Sequence, residues 1–264
     1  RRMTKPYTVQ LAHGLGMIDE TRIYLDLWHE GMSATDLYRA ALHSGRFPNI
    51  SARSLRDSTV VGFAPRYLIE DGAPAVLLQG LKHALSPREF EQLLLLYTCR
   101  AHAVLTDFLT TVYWPAYAAG RRSLSNVDAR RFVEQAVRQG KTTTEWSATS
   151  QRRVAAYLTG TCADFGLLEA GRKQARKILP YRLLDKPAIF LAYDLHCAGL
   201  GDNSVVGHPD WGIFGLERQD VIAELRRLAV PAGLIIQSAA GTTKISWQYH
   251  SMEEVVDALT RPEL

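Results

Sequence analysis

The chain has 264 residues, 47% of them hydrophobic and 22% charged, a make-up that can bury a core and excludes a disordered tail, a collagen-like repeat or a disulfide miniprotein. Its formal charge of +4 is unevenly spread: +4 over residues 1–149, +5 over residues 150–182 and −5 over residues 183–264. The three cysteines, Cys99, Cys162 and Cys197, lie far apart and form no Cys-x-x-Cys pair. That excludes a disulfide framework or a cysteine-rich zinc site and points to a reducing cytoplasm.

No run approaches the roughly 18–20 apolar residues of a membrane span. The densest, Leu93 to Tyr97, is flanked by Arg88, Glu89, Glu91 and Arg100. The basic start (Arg1, Arg2, Lys5) lacks the apolar stretch that a secretory signal needs. The expectation is a cytoplasmic protein without a membrane partner.

The first half reads as helices. Ser33-x-x-Asp36 opens one through His43, with Leu37, Ala40 and Ala41 on one face. Ser86-Pro87-x-Glu89 combines an N-cap serine, proline at the first helical position and glutamate at N3, and leads into Phe90, Leu93, Leu94 and Tyr97. Ala101 to Tyr113 repeats the helical period through Val104, Leu105, Phe108 and Val112. Pro115 disfavours a helical Trp114, so this helix should end there. Ser125-x-x-Asp128 caps a further helix, with Val127, Phe132, Ala136 and Val137 as its buried side. Five to seven helices and few or no strands are expected up to residue 140, with a plausible break at Asp71-Gly72-Ala73-Pro74.

Beyond residue 144 the pattern changes. Thr149 or Ser150 caps a helix through Phe165, with Val154, Leu158 and Phe165 inward. Leu167-Leu168 and Ile178-Leu179 then bracket a polar tip, as in a β-hairpin. Helix followed by hairpin is the order of a winged helix. Helices over Asp185–Ala198 and Glu217–Ala229 flank a short segment from His208 to Phe214. A clearer hairpin follows over Gly233–Trp247, with its tip at Ser238-Ala239-Ala240-Gly241, then a helix opened by Ser251-x-x-Glu254. The expected fold is mostly α: a helical bundle over residues 1–143, a helix plus basic hairpin over 144–182 packing on it, and a C-terminal winged-helix-like domain over 183–264.

A catalytic centre is hard to find. There is no phosphate-binding Gly-x-x-x-x-Gly-Lys loop, and Gly14-Leu15-Gly16 lacks both a third glycine and a preceding strand. The histidines form no His-Glu-x-x-His pair. His196 and Cys197 are adjacent, so they point about 100° apart on a helix, and His208 adds no second ligand pair. Glu217 and Asp220 read as helix-capping residues. Neither enzyme activity, nor a cofactor, nor a metal is expected.

Positive charge on small exposed elements carries the signal. Arg152 and Arg153 open one helix, off its apolar face. Arg172, Lys173, Arg176 and Lys177 crowd the first hairpin. A wing of that composition can lie along a phosphate backbone. Arg121-Arg122 and Arg130-Arg131 are further candidates, and Arg53 and Arg56 weaker ones. A solvated basic face is the plainer account of the same residues.

Trp114-Pro115-x-Tyr117-x-x-Gly120, Trp146-Ser147-x-Thr149, Gly166-Leu167-Leu168-Glu169 and Ile178-Leu179-Pro180 appear in order. They are followed by Tyr193-Asp194-Leu195-His196-x-Ala198-Gly199-Leu200, His208-Pro209-Asp210-Trp211-x-x-Phe214-Gly215-Leu216 and Ile245-Ser246-Trp247. From about Met17 to Leu259 this ordered set resembles the BrxA family of BREX (bacteriophage exclusion) defence systems. The resemblance implies a non-enzymatic member of a multi-protein complex that separates self from phage DNA by methylation. It brings no established site residues, and it adds a likeness to the RNA-binding factor NusB. Three readings follow: duplex-DNA binding with other BREX proteins as partners, a protein-only adaptor within that complex, and RNA binding.

Overall fold

The structure is a computed structural model that describes residues 6–262, so Arg1, Arg2 and Lys5 lie outside the described residues. It is 61% helix and 9% strand, the mostly helical class with two small antiparallel two-stranded sheets. The chain forms two compact units. One comprises the residues up to Val76 with Leu94–Tyr181, the other Leu77–Leu93 with the residues from Arg182 onward.

The first unit opens with α1 (Ile18–Leu27) and α2 (Ala34–His43), the latter capped by Ser33, whose hydroxyl accepts the Asp36 N–H. Next comes one continuous rod: α3 (Ala52–Asp57), a π-helical stretch Ser58–Phe63, and α4 (Ala64–Tyr67). After α5 (Ala73–Leu81) and α6 (Pro87–Ala101) the same construction recurs as α7 (Ala103–Phe108), a π-helical stretch Leu109–Tyr113, and α8 (Trp114–Ala118). The expected helix end before Pro115 is therefore corrected. Trp114 stays helical at φ −66°, ψ −38°, and Ala64 before Pro65 does the same at φ −58°, ψ −43°. In both rods the proline is the second residue after a wide i→i+5 stretch. That stretch loosens the carbonyl ladder into which a proline ring would otherwise collide.

β1 (Ser123–Ser125), α9 (Asn126–Arg138), α10 (Ala148–Asp164) and β2 (Ala175–Lys177) complete this unit. α9 carries the full capping box, Ser125 to the Asp128 N–H and Asp128 back to Ser125. Its buried stripe is Ala129, Val133 and Ala136, and Val127, expected inside, is 53% exposed because it stands out of phase with that stripe. α10 is capped by Ser147, two residues before the expected Thr149. The expected hairpin forms a single bridge, Leu168 to Ile178. Its return arm pairs in register with β1: Ser123 with Lys177, Leu124 with Arg176, Ser125 with Ala175.

In the second unit, α11 (Asp185–Cys197) is buried from Pro187 to Tyr193. Both ends of the Gln92 side-chain amide hold its entry, donating to the Arg182 carbonyl and accepting the Leu184 N–H at 2.8 Å each. α12 (Asp202–Val206), a 3₁₀ turn Pro209–Phe214, α13 (Arg218–Arg227) and α14 (Ala229–Ala232) lead to the hairpin β3 (Leu234–Ala239) and β4 (Thr242–Trp247), then α15 (Met252–Leu259). The hairpin turn is the pair Ala240-Gly241, both at positive φ (48° and 80°), as a tight two-residue turn requires. Asp202 and Asn203 of α12 cover the β4 edge by accepting the Ile245 and Thr243 N–H groups.

Candidate nucleic-acid interface

Local chain chemistry aims the basic residues. α8 ends in a Schellman motif: Gly120 sits at φ 70°, its N–H bonds the Tyr117 carbonyl, and the Arg121 N–H bonds Ala116. The turn projects Arg121 toward the first turn of α9, where its Nη2 meets Asp128 Oδ2 at 2.9 Å. Burial works against the Asp128 carboxylate, but hydrogen bonds from the Ser125 backbone and hydroxyl and from Arg121 outweigh it and hold the carboxyl below its usual pKa. Arg121 is thus anchored, while Arg122 next to it is exposed.

The β1–β2 pairing then unites two basic segments that are distant in sequence. The Ile178 N–H bonds the Arg122 carbonyl at 2.9 Å and Lys177 pairs with Ser123, so the two basic segments run side by side. The Asn126 N–H bonds the Gln174 carbonyl at 2.8 Å, so the tip carrying Arg172 and Lys173 is tied to the start of α9. Lys177 and Arg172 are exposed. Lys173 bridges to Glu169 at 2.7 Å, a bond that draws the Glu169 carboxyl below its ordinary pKa. Arg176 points the other way. It is half-buried, donates Nη1 to the Glu169 carbonyl at 3.0 Å, and its Nε has no partner. It fastens the loop and offers the surface little charge.

The remaining candidates separate. The Thr159 hydroxyl reaches Asn126 Oδ1 at 3.3 Å, tying the start of α9 to the later half of α10. The two helices therefore run antiparallel, and Arg152 and Arg153 stand at the end away from the sheet, about 20 Å along a 13-residue helix. Arg130 and Arg131 lie between, exposed on α9. Among the described residues, the side chains of Arg122, Arg130, Arg131, Arg153, Arg172 and Lys177 make no ion pair.

Arg131 also faces a cleft of about 570 Å³ with Arg121, Phe132, Gln135 and Lys141. Lys141 was not singled out in the sequence, although the signal is there. α9 ends in a second Schellman motif around Gly140 (φ 66°), the Lys141 N–H bonding Ala136 as Arg121 bonds Ala116. Gly120-Arg121 and Gly140-Lys141 are the same device.

The histidines considered as ligands have structural roles. His196 stacks on Trp247 with ring centroids 4.2 Å apart, and His208 Nδ1 accepts the Asp210 N–H to cap the 3₁₀ turn. Glu217 and Asp220 form the α13 capping box. Among the described residues, no three His, Cys, Asp or Glu side chains gather as a metal site would need, and no helix is long and apolar enough to cross a membrane.

Comparison with known proteins decides the family. The BrxA family model matches residues 5–192. This chain belongs to the BrxA family. Membership carries the association with BREX that the family name implies. Among solved structures, the chain is similar to an uncharacterized protein from Magnetospirillum magneticum, at 18% identity and a TM-score of 0.56, over 72% of this chain and 94% of that one. That likeness extends to the fold alone. No curated protein matches.

Proposed function

We propose that this BrxA-family chain is a non-enzymatic accessory of a BREX phage-defence complex that grips duplex DNA through its phosphates. The observation that carries the reading is the pairing of β1 with β2, which gathers Arg121, Arg122, Arg172, Lys173 and Lys177 around one small sheet. Arg130 and Arg131 extend this surface along α9, and Arg152 and Arg153 supply a second contact beyond it. Exposed cations spaced over about 20 Å, most of them without an ion pair, suit successive phosphates better than base edges, so binding is largely independent of sequence. Arg176 supports the surface from behind.

A salt titration of the full chain on a labelled duplex tests this. Affinity falls steeply as salt rises, and a triple Arg122→Glu, Arg172→Glu, Lys177→Glu variant loses about 0.9 in log–log salt slope for each phosphate contact removed, on every sequence tried. Parental affinity in that variant would refute the assignment. Single-stranded RNA outcompeting the duplex would instead point to the NusB-like role.

The second unit supports an adaptor role alongside. It carries the acidic end of the chain and exposes Val230 (92%) and Ile235 (65%). That combination favours a protein partner within the complex over a nucleic acid.

A further inference from the structure

Inside the first unit lies a group of polar side chains that the phosphate-binding surface does not use. Arg66, Tyr67, Thr21, Thr98 and His102 are each at most 3% exposed. Arg66 makes one hydrogen bond of full geometry, Nη1 to Thr98 Oγ1 at 3.3 Å, and the Thr98 hydroxyl donates in turn to the Leu94 carbonyl at 2.7 Å. The Arg66 Nε and Nη2 atoms, the Tyr67 and Thr21 hydroxyls and both His102 ring nitrogens make no hydrogen bond of full geometry. These groups are neighbours: the Tyr67 hydroxyl is close enough to Thr21, Thr98 and Arg66 for weak hydrogen-bond interactions short of full geometry, and His102 feels the Arg66 charge.

Nε and Nη2 form the side-on edge of a guanidinium, the two parallel N–H groups that match two oxygens of one oxyanion. A guanidinium does not lose its proton, so it stays charged in the interior. A buried charge with neither counter-ion nor full hydrogen bonding is strongly unfavourable. The carboxylate whose charge reaches Arg66, Asp164, accepts the Gly16 N–H through Oδ2 at 3.0 Å and makes no bond to the free guanidinium nitrogens. The free guanidinium nitrogens present three N–H protons, and the hydroxyls and the imidazole beside them offer acceptor lone pairs but no negative charge. The missing partner is therefore an anion rich in acceptors. Arg66 and Tyr67 lie within one turn after the π-helical stretch Ser58–Phe63, and local widening of this kind recurs at functional sites.

We infer that the first unit holds an oxyanion of the phosphate or sulfate class, clasped by the side-on edge of Arg66 with Tyr67, Thr21 and His102 around it. This is independent of the DNA-binding surface, and its failure leaves that reading untouched.

The test uses the full chain dialysed free of phosphate and sulfate. Acid denaturation and ion chromatography of undialysed protein read any retained ion, and thermal unfolding is followed against phosphate, sulfate and chloride at constant ionic strength. About one oxyanion per chain is released, or the melting temperature rises by several degrees with phosphate and sulfate but not chloride. Arg66→Met abolishes both signals, yet in oxyanion-free buffer it melts no lower than the parent because it removes an unpaired charge. Arg66→Lys, which keeps the charge without the planar edge, shifts the phosphate midpoint at least tenfold higher. Asp164→Asn keeps the parental response. No released oxyanion together with a flat titration overturns the proposal, as does a phosphate response retained in Arg66→Met or lost in Asp164→Asn, the last assigning Asp164 as the true partner.

Discussion

Gly120 and Gly140 show how a residue without a side chain can place a cation. At φ 70° and 66° each turns the chain at a helix end, and a Cβ at either position would meet nothing within 4 Å. The cost of an alanine there is thus conformational, about 1 kcal/mol from the left-handed backbone. Gly120→Ala should lower stability by that amount in denaturant unfolding and, by moving Arg121, weaken duplex binding as well. Gly140→Ala should show the same stability loss with a smaller effect on binding. The buried His102 makes stability depend on pH. Burial, reinforced by the Arg66 charge, lowers its pKa from 6.5 to about 3. The unfolded chain therefore binds a proton below pH 6.5 that the folded chain refuses until about pH 3. Stability present above pH 6.5 is lost as pH falls toward 3, with a slope of up to about 1.4 kcal/mol per pH unit from this group. His102→Gln should flatten that part of a melting-temperature profile, and an unchanged profile would assign the acid sensitivity elsewhere.

Among the elements, the start of α9 has two tasks. Ser125 is the last residue of β1 and the N-cap of α9, and Asp128 closes the capping box while holding Arg121. Ser125→Ala should cost about 1 kcal/mol. It should also loosen the corner from which Arg121 and Arg122 project, visible as faster amide exchange across β1 and β2. The Ser-x-x-Asp signal was readable in the sequence because capping is local: donor, acceptor and helix start lie within four residues. The continuation of α7 into α8 through Pro115 was not readable. A proline's effect depends on the carbonyls four and five positions earlier, and the π stretch that accommodates it follows from packing. Likewise the return arm of the basic loop chose β1 as its partner, a pairing between residues far apart that no turn signal announces.

For the molecule as a whole, charge and exposure differ between the two units: the exposed cations around β1 and β2 belong to the first, the acidic end and the exposed Val230 and Ile235 to the second. Glutamate substitutions at Val230 and Ile235, both solvent-facing, should leave duplex affinity and its salt slope unchanged while abolishing retention of a BREX partner in pull-downs. Loss of duplex binding in that variant would mean that the second unit takes part in the DNA contact.

Helix starts, apolar stripes, the Ala240-Gly241 hairpin and the family likeness were all legible in the order of residues, because each rests on interactions between near neighbours or on an ordered set of motifs. The assignment of Leu77–Leu93 to the C-terminal unit, the pairing of the segment after Arg122 with the one ending at Lys177, the inward turn of Arg176 and the burial of Arg66 were not. An arginine written between Pro65 and Tyr67 carries no mark of its surroundings. Its exposure is set by which distant helices close over it, and those contacts exist only once the chain has folded.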